Sequence, residues 1–208
     1  RQRQMCIRDR LTSLTFLVVG CQNESEEIRL INQAERLFDA YPDSVITTLD
    51  SIPLPEEMNP RLIARWCMLY ARAADKIEDE MPYTNQLEIA LKYYQKKKMR
   101  EEEAEIGLYL GRSYVEDKEY EKAMRAYSDA LEVALAIKDY NRAGYICSYM
   151  ADLYEVDERF MLSAKRYQES GGYFRLANNI KSYIRAFVNE GNIYMIADSS
   201  HLALTPLK

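Results

Sequence analysis

Apolar and polar residues follow a helical spacing along most of the chain, from Glu26 onward. The pattern predicts a series of helices, which cover 26–40, 43–52, 60–77, 83–98, 101–116, 119–137, 140–156, 159–177 and 180–197. The stretch from Pro53 to Pro60 is typical of a loop. No proline falls between positions 83 and 205, so no helix there has to break. The expected fold class is therefore all-α.

The predicted helices repeat with a spacing of 40 residues. On the first helix of each unit a small residue is followed three positions later by a tyrosine, at Gly111 and Tyr114, Ala151 and Tyr154, and Gly191 and Tyr194. The second helix repeats a small residue, a tyrosine and a small residue, at Ala123, Tyr127 and Ala130 and again at Ser163, Tyr167 and Ser170. These matches share one register, which indicates a repeat protein whose recurring tyrosines pack in the core.

The stretch Leu110-Gly111-x-x-Tyr114, followed by Ala123-x-x-x-Tyr127-x-x-Ala130, resembles the tetratricopeptide (TPR) signature. The resemblance implies a right-handed α-solenoid of antiparallel helix pairs. The 40-residue period exceeds the usual family period of about 34 residues. HEAT repeats have the longer period but lack this signature, and they stay a minor alternative.

The repeat pattern divides the chain into a degenerate first helix pair at 26–59, TPR-like repeats at 60–198 and a tail at 199–208. The last unit has a first helix, near 180–197, and no recognisable second helix. A stack that ends on a single helix leaves an apolar face open. We therefore expect either that the sequence is a fragment of a longer protein or that another element covers this face.

The N-terminal part of the sequence resembles a bacterial lipoprotein leader. Residues 11–21 combine an apolar stretch of signal-peptide length with Val18-Val19-Gly20-Cys21, which resembles a lipobox. The resemblance implies lipid attachment at Cys21, with 22–25 as a short tether; the alternative is a buried apolar helix with a chance cysteine. Residues 1–10 are either a basic n-region that starts at Met5 or a translated sequencing adapter, and we favour the adapter.

The charge and the residue inventory exclude several function classes. The formal net charge is −5, and an acidic body argues against a nucleic-acid surface in this segment. His201 is the only histidine, which argues against histidine-dependent catalysis and histidine metal sites. Cys67 and Cys147 are expected to be buried structural thiols. We therefore expect no enzyme activity, no cofactor and no metal.

The inner groove of the predicted solenoid is the candidate site for a protein or peptide. The groove positions that the resemblance implies are Arg65, Met68, Arg72, Asp75, Glu105, Leu108, Arg112, Tyr145, Ser148, Asp152, Arg185 and Asn192. Arginines on one face of an acidic protein indicate an acidic partner. The alternative is that they pair with acidic residues of the groove itself, namely Asp75, Glu105 and Asp152. The Lys/Asn carboxylate clamp of peptide-binding family members is absent.

The stretch from Tyr41 to Pro53 resembles TPR lipoproteins of Bacteroidetes-type bacteria. This resemblance implies a lipid-anchored scaffold in the cell envelope, at the outer membrane or the periplasmic face, that binds a protein or peptide. Two alternatives stay open. One is the sensory part of a membrane-spanning transcriptional regulator. The other is a glycan- or nutrient-handling lipoprotein, which would expose Tyr145 and Tyr173 side by side as an aromatic platform.

Overall fold

A computed structural model describes residues 25–52 and 57–197, and over these residues the fold is all-α. The helices are α1 (Glu26–Leu37), α2 (Pro42–Asp50), α3 (Pro60–Ile77), α4 (Thr84–Lys97), α5 (Arg100–Glu116), α6 (Tyr120–Ala136), α7 (Tyr140–Val156), α8 (Phe160–Leu176) and α9 (Ile180–Ile196). The predicted bounds agree to within three residues, the largest difference being the end of α1. The predicted leader with Cys21 and the tail at 199–208 lie outside the described residues.

Each of the helices α3 to α8 is followed, one or two residues after its last residue, by a residue in the left-handed conformation. These residues are Glu78, Lys98, Lys118, Lys138, Glu158 and Asn178, and none is a glycine. The backbone N–H of the next residue closes the turn; that of Glu119, for example, donates to the carbonyl of Tyr114 over 2.8 Å. This pattern satisfies a carbonyl that the end of a helix otherwise leaves unpaired. The turns fix the start of each following helix, so α5 to α9 begin 20 residues apart.

Side chains of the preceding loop define the start of three helices. Asn59 accepts backbone hydrogen bonds from Arg61 and Leu62 at the start of α3, where Pro60 occupies the first helical position. Asp139 accepts from the backbone N–H of Arg142 in α7, and Asn179 accepts from that of Ser182 in α9. These caps explain why the helices begin where the sequence pattern predicted them.

Consecutive helices pack against each other, and the odd-numbered helices α1, α3, α5 and α7 also contact their odd-numbered neighbours. We call the side of the stack that the odd-numbered helices form the inner face. Between the layers, the hydroxyl of Tyr94 donates to the carbonyl of Ala64 over 3.0 Å, which joins α4 to α3. Trp66 similarly donates to the carbonyl of Leu49 over 3.2 Å, which joins α3 to α2.

Glu190 of α9 is a buried carboxyl at a position that is apolar in the two preceding units. Its equivalents are Leu110 of α5 and Met150 of α7, and Glu190 itself is 6% exposed. Among the described residues, one side chain donates a hydrogen bond to Glu190: the hydroxyl of Tyr194, which lies 3.4 Å from Oε1. Burial raises the pKa of Glu190, so the folded state favours the protonated form.

We expect Glu190→Met to raise the free energy of unfolding by about 1–2 kcal/mol near neutral pH, because it removes a poorly satisfied buried carboxylate. A carboxyl whose pKa is raised by folding destabilises the folded state. This destabilisation is complete at pH values above the folded-state pKa, and it decreases as the pH falls and the carboxyl becomes protonated. Urea unfolding at about pH 7.5 and about pH 5 should therefore show a smaller gain at the lower pH. Glu132→Met, at an exposed carboxylate of α6, is the control. A loss of stability in Glu190→Met would contradict the prediction.

Candidate functional site

A pocket of about 540 Å³ opens on the inner face, where side chains of α3, α5, α7 and α9 meet. Its lining is mainly polar. The structure brings together half of the groove residues that the sequence predicted, namely Asp75, Glu105, Leu108, Arg112, Tyr145 and Arg185. We call this pocket the inner-face pocket.

Glu105 joins three helices at the floor of the inner-face pocket. Arg72 of α3 donates to its carboxylate through Nε and Nη2, over 2.6 and 2.7 Å. Arg142 of α7 donates to Oε2 over 3.1 Å, and the hydroxyl of Tyr109 donates to Oε1 over 3.3 Å. The hydrogen bond to Glu105 raises the pKa of Arg72. Burial and the nearby Glu105 carboxylate raise the pKa of Tyr109. The carboxylate is therefore fully engaged within the protein.

The other predicted arginines of α3 and α5 are also paired internally. Arg112 forms an ion pair with Asp75, and its guanidinium lies 5.5 Å from the ring centroid of Tyr149. Arg65 donates to Glu35 over 2.7 Å, which joins α3 to α1. Of the two hypotheses that the sequence left open for these arginines, the geometry favours internal pairing. The ion pairs run from one odd-numbered helix to the next and stabilise their spacing.

The α9 side of the pocket differs from the α3 side. The hydroxyls of Tyr145 and Ser182 lie 3.1 Å apart, and Asn179 donates to Asn141 over 2.8 Å. Arg185 is exposed, and no acidic group among the described residues forms an ion pair with it. Its guanidinium is thus free to bind an anionic group that enters the pocket.

Six predicted groove residues do not line the pocket: Arg65 and Arg72, whose ion pairs are described above, and four others. Met68 is buried in the core. Ser148 lies 2.8 Å from Ser170, hydroxyl to hydroxyl, and Asp152 accepts a hydrogen bond from the hydroxyl of Tyr167; both partners belong to α8. Asn192 is exposed at the position equivalent to Asp152. In α7, the predicted positions 148 and 152 therefore face the second helix of the pair and not the pocket.

The sequence prediction missed Arg142, Asp139, Asn141 and Tyr149, which line the same pocket. Arg142 also forms an ion pair with Asp139. A signal was present, because positions 142, 145 and 149 are spaced by three and four residues and lie on one helical stripe. That stripe, rather than the one through 145, 148 and 152, faces the pocket.

The other candidate chemistry is accounted for by packing. Cys67 and Cys147 are buried free thiols, as predicted, and burial raises the pKa of Cys147 to about 12. The ring of Tyr145 packs edge-on against Phe174, and the ring of Tyr173 stacks on Tyr140. Tyr145 and Tyr173 therefore do not form a shared exposed platform. In the part of the chain that the structure describes, no cluster of potential metal ligands occurs, and no helix has the length and apolar character of a membrane span.

Comparison with known proteins informs the fold alone. No protein-family profile matches the sequence, and no curated protein matches it. Among solved structures, the chain is similar to the crystal structure of BtubC (BKLC) from P. vanneervenii, with a TM-score of 0.57 and 17% sequence identity. The similarity covers 85% of this chain and 70% of that one.

Proposed function

We propose that this protein is an interaction scaffold, a right-handed TPR-like solenoid with a 40-residue unit that binds a protein or peptide in its inner-face pocket. The repeat motifs and the helices that start 20 residues apart from α5 onward support the architecture. The lipobox-like sequence before Cys21 supports a second part of the proposal, namely that a lipid on Cys21 anchors the scaffold in a bacterial cell envelope.

The observation that carries the proposal is the contrast between Arg185 and the other arginines of the pocket. Arg112 and Arg142 are held by acidic partners, whereas Arg185 is exposed beside the same polar pocket. A free guanidinium beside tyrosine and asparagine side chains is suited to a carboxylate, with which arginine forms charge-assisted hydrogen bonds. The occupant is therefore a peptide segment that brings a carboxylate to Arg185 and rests on Tyr145.

We expect peptides selected from a random display library on the full chain to be enriched in acidic residues. Arg185→Glu should lower their affinity by about 10- to 100-fold, since hydrogen bonds to charged groups contribute about 1.5–3 kcal/mol. Fluorescence polarisation with labelled selected peptides measures the change.

Lys165→Glu is the matched control, because it reverses an exposed charge on α8, away from the pocket. It should leave the affinity within about twofold, as expected for a screened distant charge. Equal binding by wild type and Arg185→Glu, or no enrichment at all, would refute the proposed use of this pocket.

A further inference from the structure

Helix α9 carries a row of exposed apolar side chains that no other helix of the described chain covers. Ile180, Ile184, Val188 and Met195 are between 51% and 59% exposed. Their spacing places them on one stripe of the helix, and Gly191 lies on the same stripe. We call these five residues the α9 face. A continuous apolar surface of this kind indicates an interaction site.

The equivalent surface of α7, forty residues earlier, is covered by α8. Tyr140, equivalent to Ile180, stacks on Tyr173 with 6.4 Å between ring centroids. A Cβ atom added at Gly144, the equivalent of Ile184, would lie 2.7 Å from the ring of Phe174. Helix α9 therefore presents to solvent the same surface with which α7 contacts its own second helix.

Small residues at one position of the odd-numbered helices receive an aromatic ring from the following helix. The ring of Tyr127 in α6 lies directly over Gly111 of α5, where an added Cβ would come within 2.2 Å of Cε1. In the next unit, Ala151 and Tyr167 belong to the same buried cluster. Gly191 holds the equivalent position in α9 and is half-buried, without a described aromatic partner from a following helix.

We propose that the α9 face binds an amphipathic α-helix of a partner protein, antiparallel to α9, with an aromatic side chain over Gly191. Ile184 stands where α7 has Gly144, so the partner needs a small residue opposite it. The exposed charges of α9 are Lys181 and Arg185, so the partner helix carries net negative charge. Arg185 also lines the inner-face pocket, but Ile184 and Val188 do not, so substitutions at these two residues test the α9 face separately from the proposed peptide pocket.

Two helices of the protein itself provide matched probes. The α6 sequence, 120–136, has Tyr127 for the aromatic position, Ala134 for the small position, and more carboxylates than cations. The α8 sequence, 160–176, instead has Phe174 at the small position and more cations than carboxylates. Both sequences have the aromatic residue, Tyr127 or Tyr167, but only the α6 sequence also meets the small-residue and charge requirements of the α9 face.

The test is fluorescence anisotropy of the full chain with the two peptides, each held helical by a hydrocarbon cross-link on its solvent side. The cross-link joins positions 125 and 129 of the α6 peptide and positions 168 and 172 of the α8 peptide. We expect saturable binding of the α6 peptide and at least about tenfold weaker binding of the α8 peptide. Ile184→Asp with Val188→Asp should weaken the α6 peptide by about tenfold or more, because the interface would bury two carboxylates.

Ile196→Asp is the control, since Ile196 is 55% exposed and its equivalent in the covered helix α7, Val156, is also exposed at 60%. It should leave affinity unchanged. All three substitutions are at exposed sites, and circular dichroism would verify that the fold is retained. If the α6 peptide still bound the double variant, it would bind elsewhere, for example in place of the protein's own α6, and the proposal would be overturned. Self-association of the full chain in sedimentation that the double substitution abolishes would also overturn it, because a second copy would then occupy the face.

Discussion

Tyr127→Ala is expected to lower the free energy of unfolding by about 3–5 kcal/mol, the range for removing a large buried aromatic side chain. Tyr127 is 1% exposed. Its ring covers Gly111 of α5 and stacks on Tyr149 of α7, with centroids 5.9 Å apart. The ring thus joins two successive helix pairs, and its loss opens a cavity that the rigid helices cannot close. Urea unfolding followed by circular dichroism measures the loss.

Tyr120→Ala provides the control, because Tyr120 opens the same helix but is 42% exposed. Its effect should stay within about 0.5 kcal/mol, as for surface substitutions in general. Gly111→Leu adds a second check. Alone it clashes with the Tyr127 ring and destabilises by about 1–3 kcal/mol. Combined with Tyr127→Ala it fills part of the cavity, so the double variant should lose less than the sum of the two. Simple additivity would contradict the close contact.

The helices could be predicted from the sequence because their spacing of apolar residues is regular and proline is absent from position 83 to position 205. The left-handed backbone conformation of the turn residues could not be predicted. Helices usually end at a glycine when the left-handed conformation is needed, but here lysine, glutamate and asparagine adopt it. Their cost of about 1–2 kcal/mol per residue is offset by the packing of the helices that they join. No residue type marks these positions.

The candidate groove could be predicted only in part, because equal positions in successive units are not the positions that touch. Arg72 and Glu105 are 33 residues apart, whereas Arg142 and Glu105 are 37 apart, although the sequence repeats every 40. Residues in contact on neighbouring odd-numbered helices are therefore displaced from the repeat register by three to seven positions. A repeat register gives the type of residue at a position, but this displacement decides its partner.

The ion pairs of the inner face have a consequence for both stability and the pocket. Because Glu105 holds Arg72 of α3 and Arg142 of α7 at once, it fixes the distance between the helices that line the inner-face pocket. Its side chain is 11% exposed, and that of Arg142 is 19% exposed. Removing the carboxylate would leave Arg72 without its counter-charge and Arg142 with Asp139 as its remaining acidic partner.

Glu105→Ala is therefore expected to lower the free energy of unfolding by about 2–4 kcal/mol. Breaking a fully buried ion pair costs about 3–5 kcal/mol, and we place the value lower because the Arg72 side chain is 42% exposed to screening solvent. Glu105→Gln keeps the shape and one acceptor oxygen but loses the charge, so it should lose less. Glu132→Ala, at an exposed carboxylate of α6, should stay within about 0.5 kcal/mol.

A comparison of a single and a triple variant separates the effect of the charge from that of the packing. Glu105→Leu leaves Arg72 without a counter-charge and Arg142 with Asp139 as its remaining partner. Glu105→Leu with Arg72→Met and Arg142→Met instead replaces the three side chains by apolar side chains of similar length. Replacement of a buried ionic group by apolar residues is often neutral for stability, so the triple variant should recover most of the loss. If it stays as unstable as Glu105→Leu alone, the carboxylate does not act through these arginines. If stability recovers while peptide binding is lost, the ion pairs matter for the geometry of the pocket rather than for the fold.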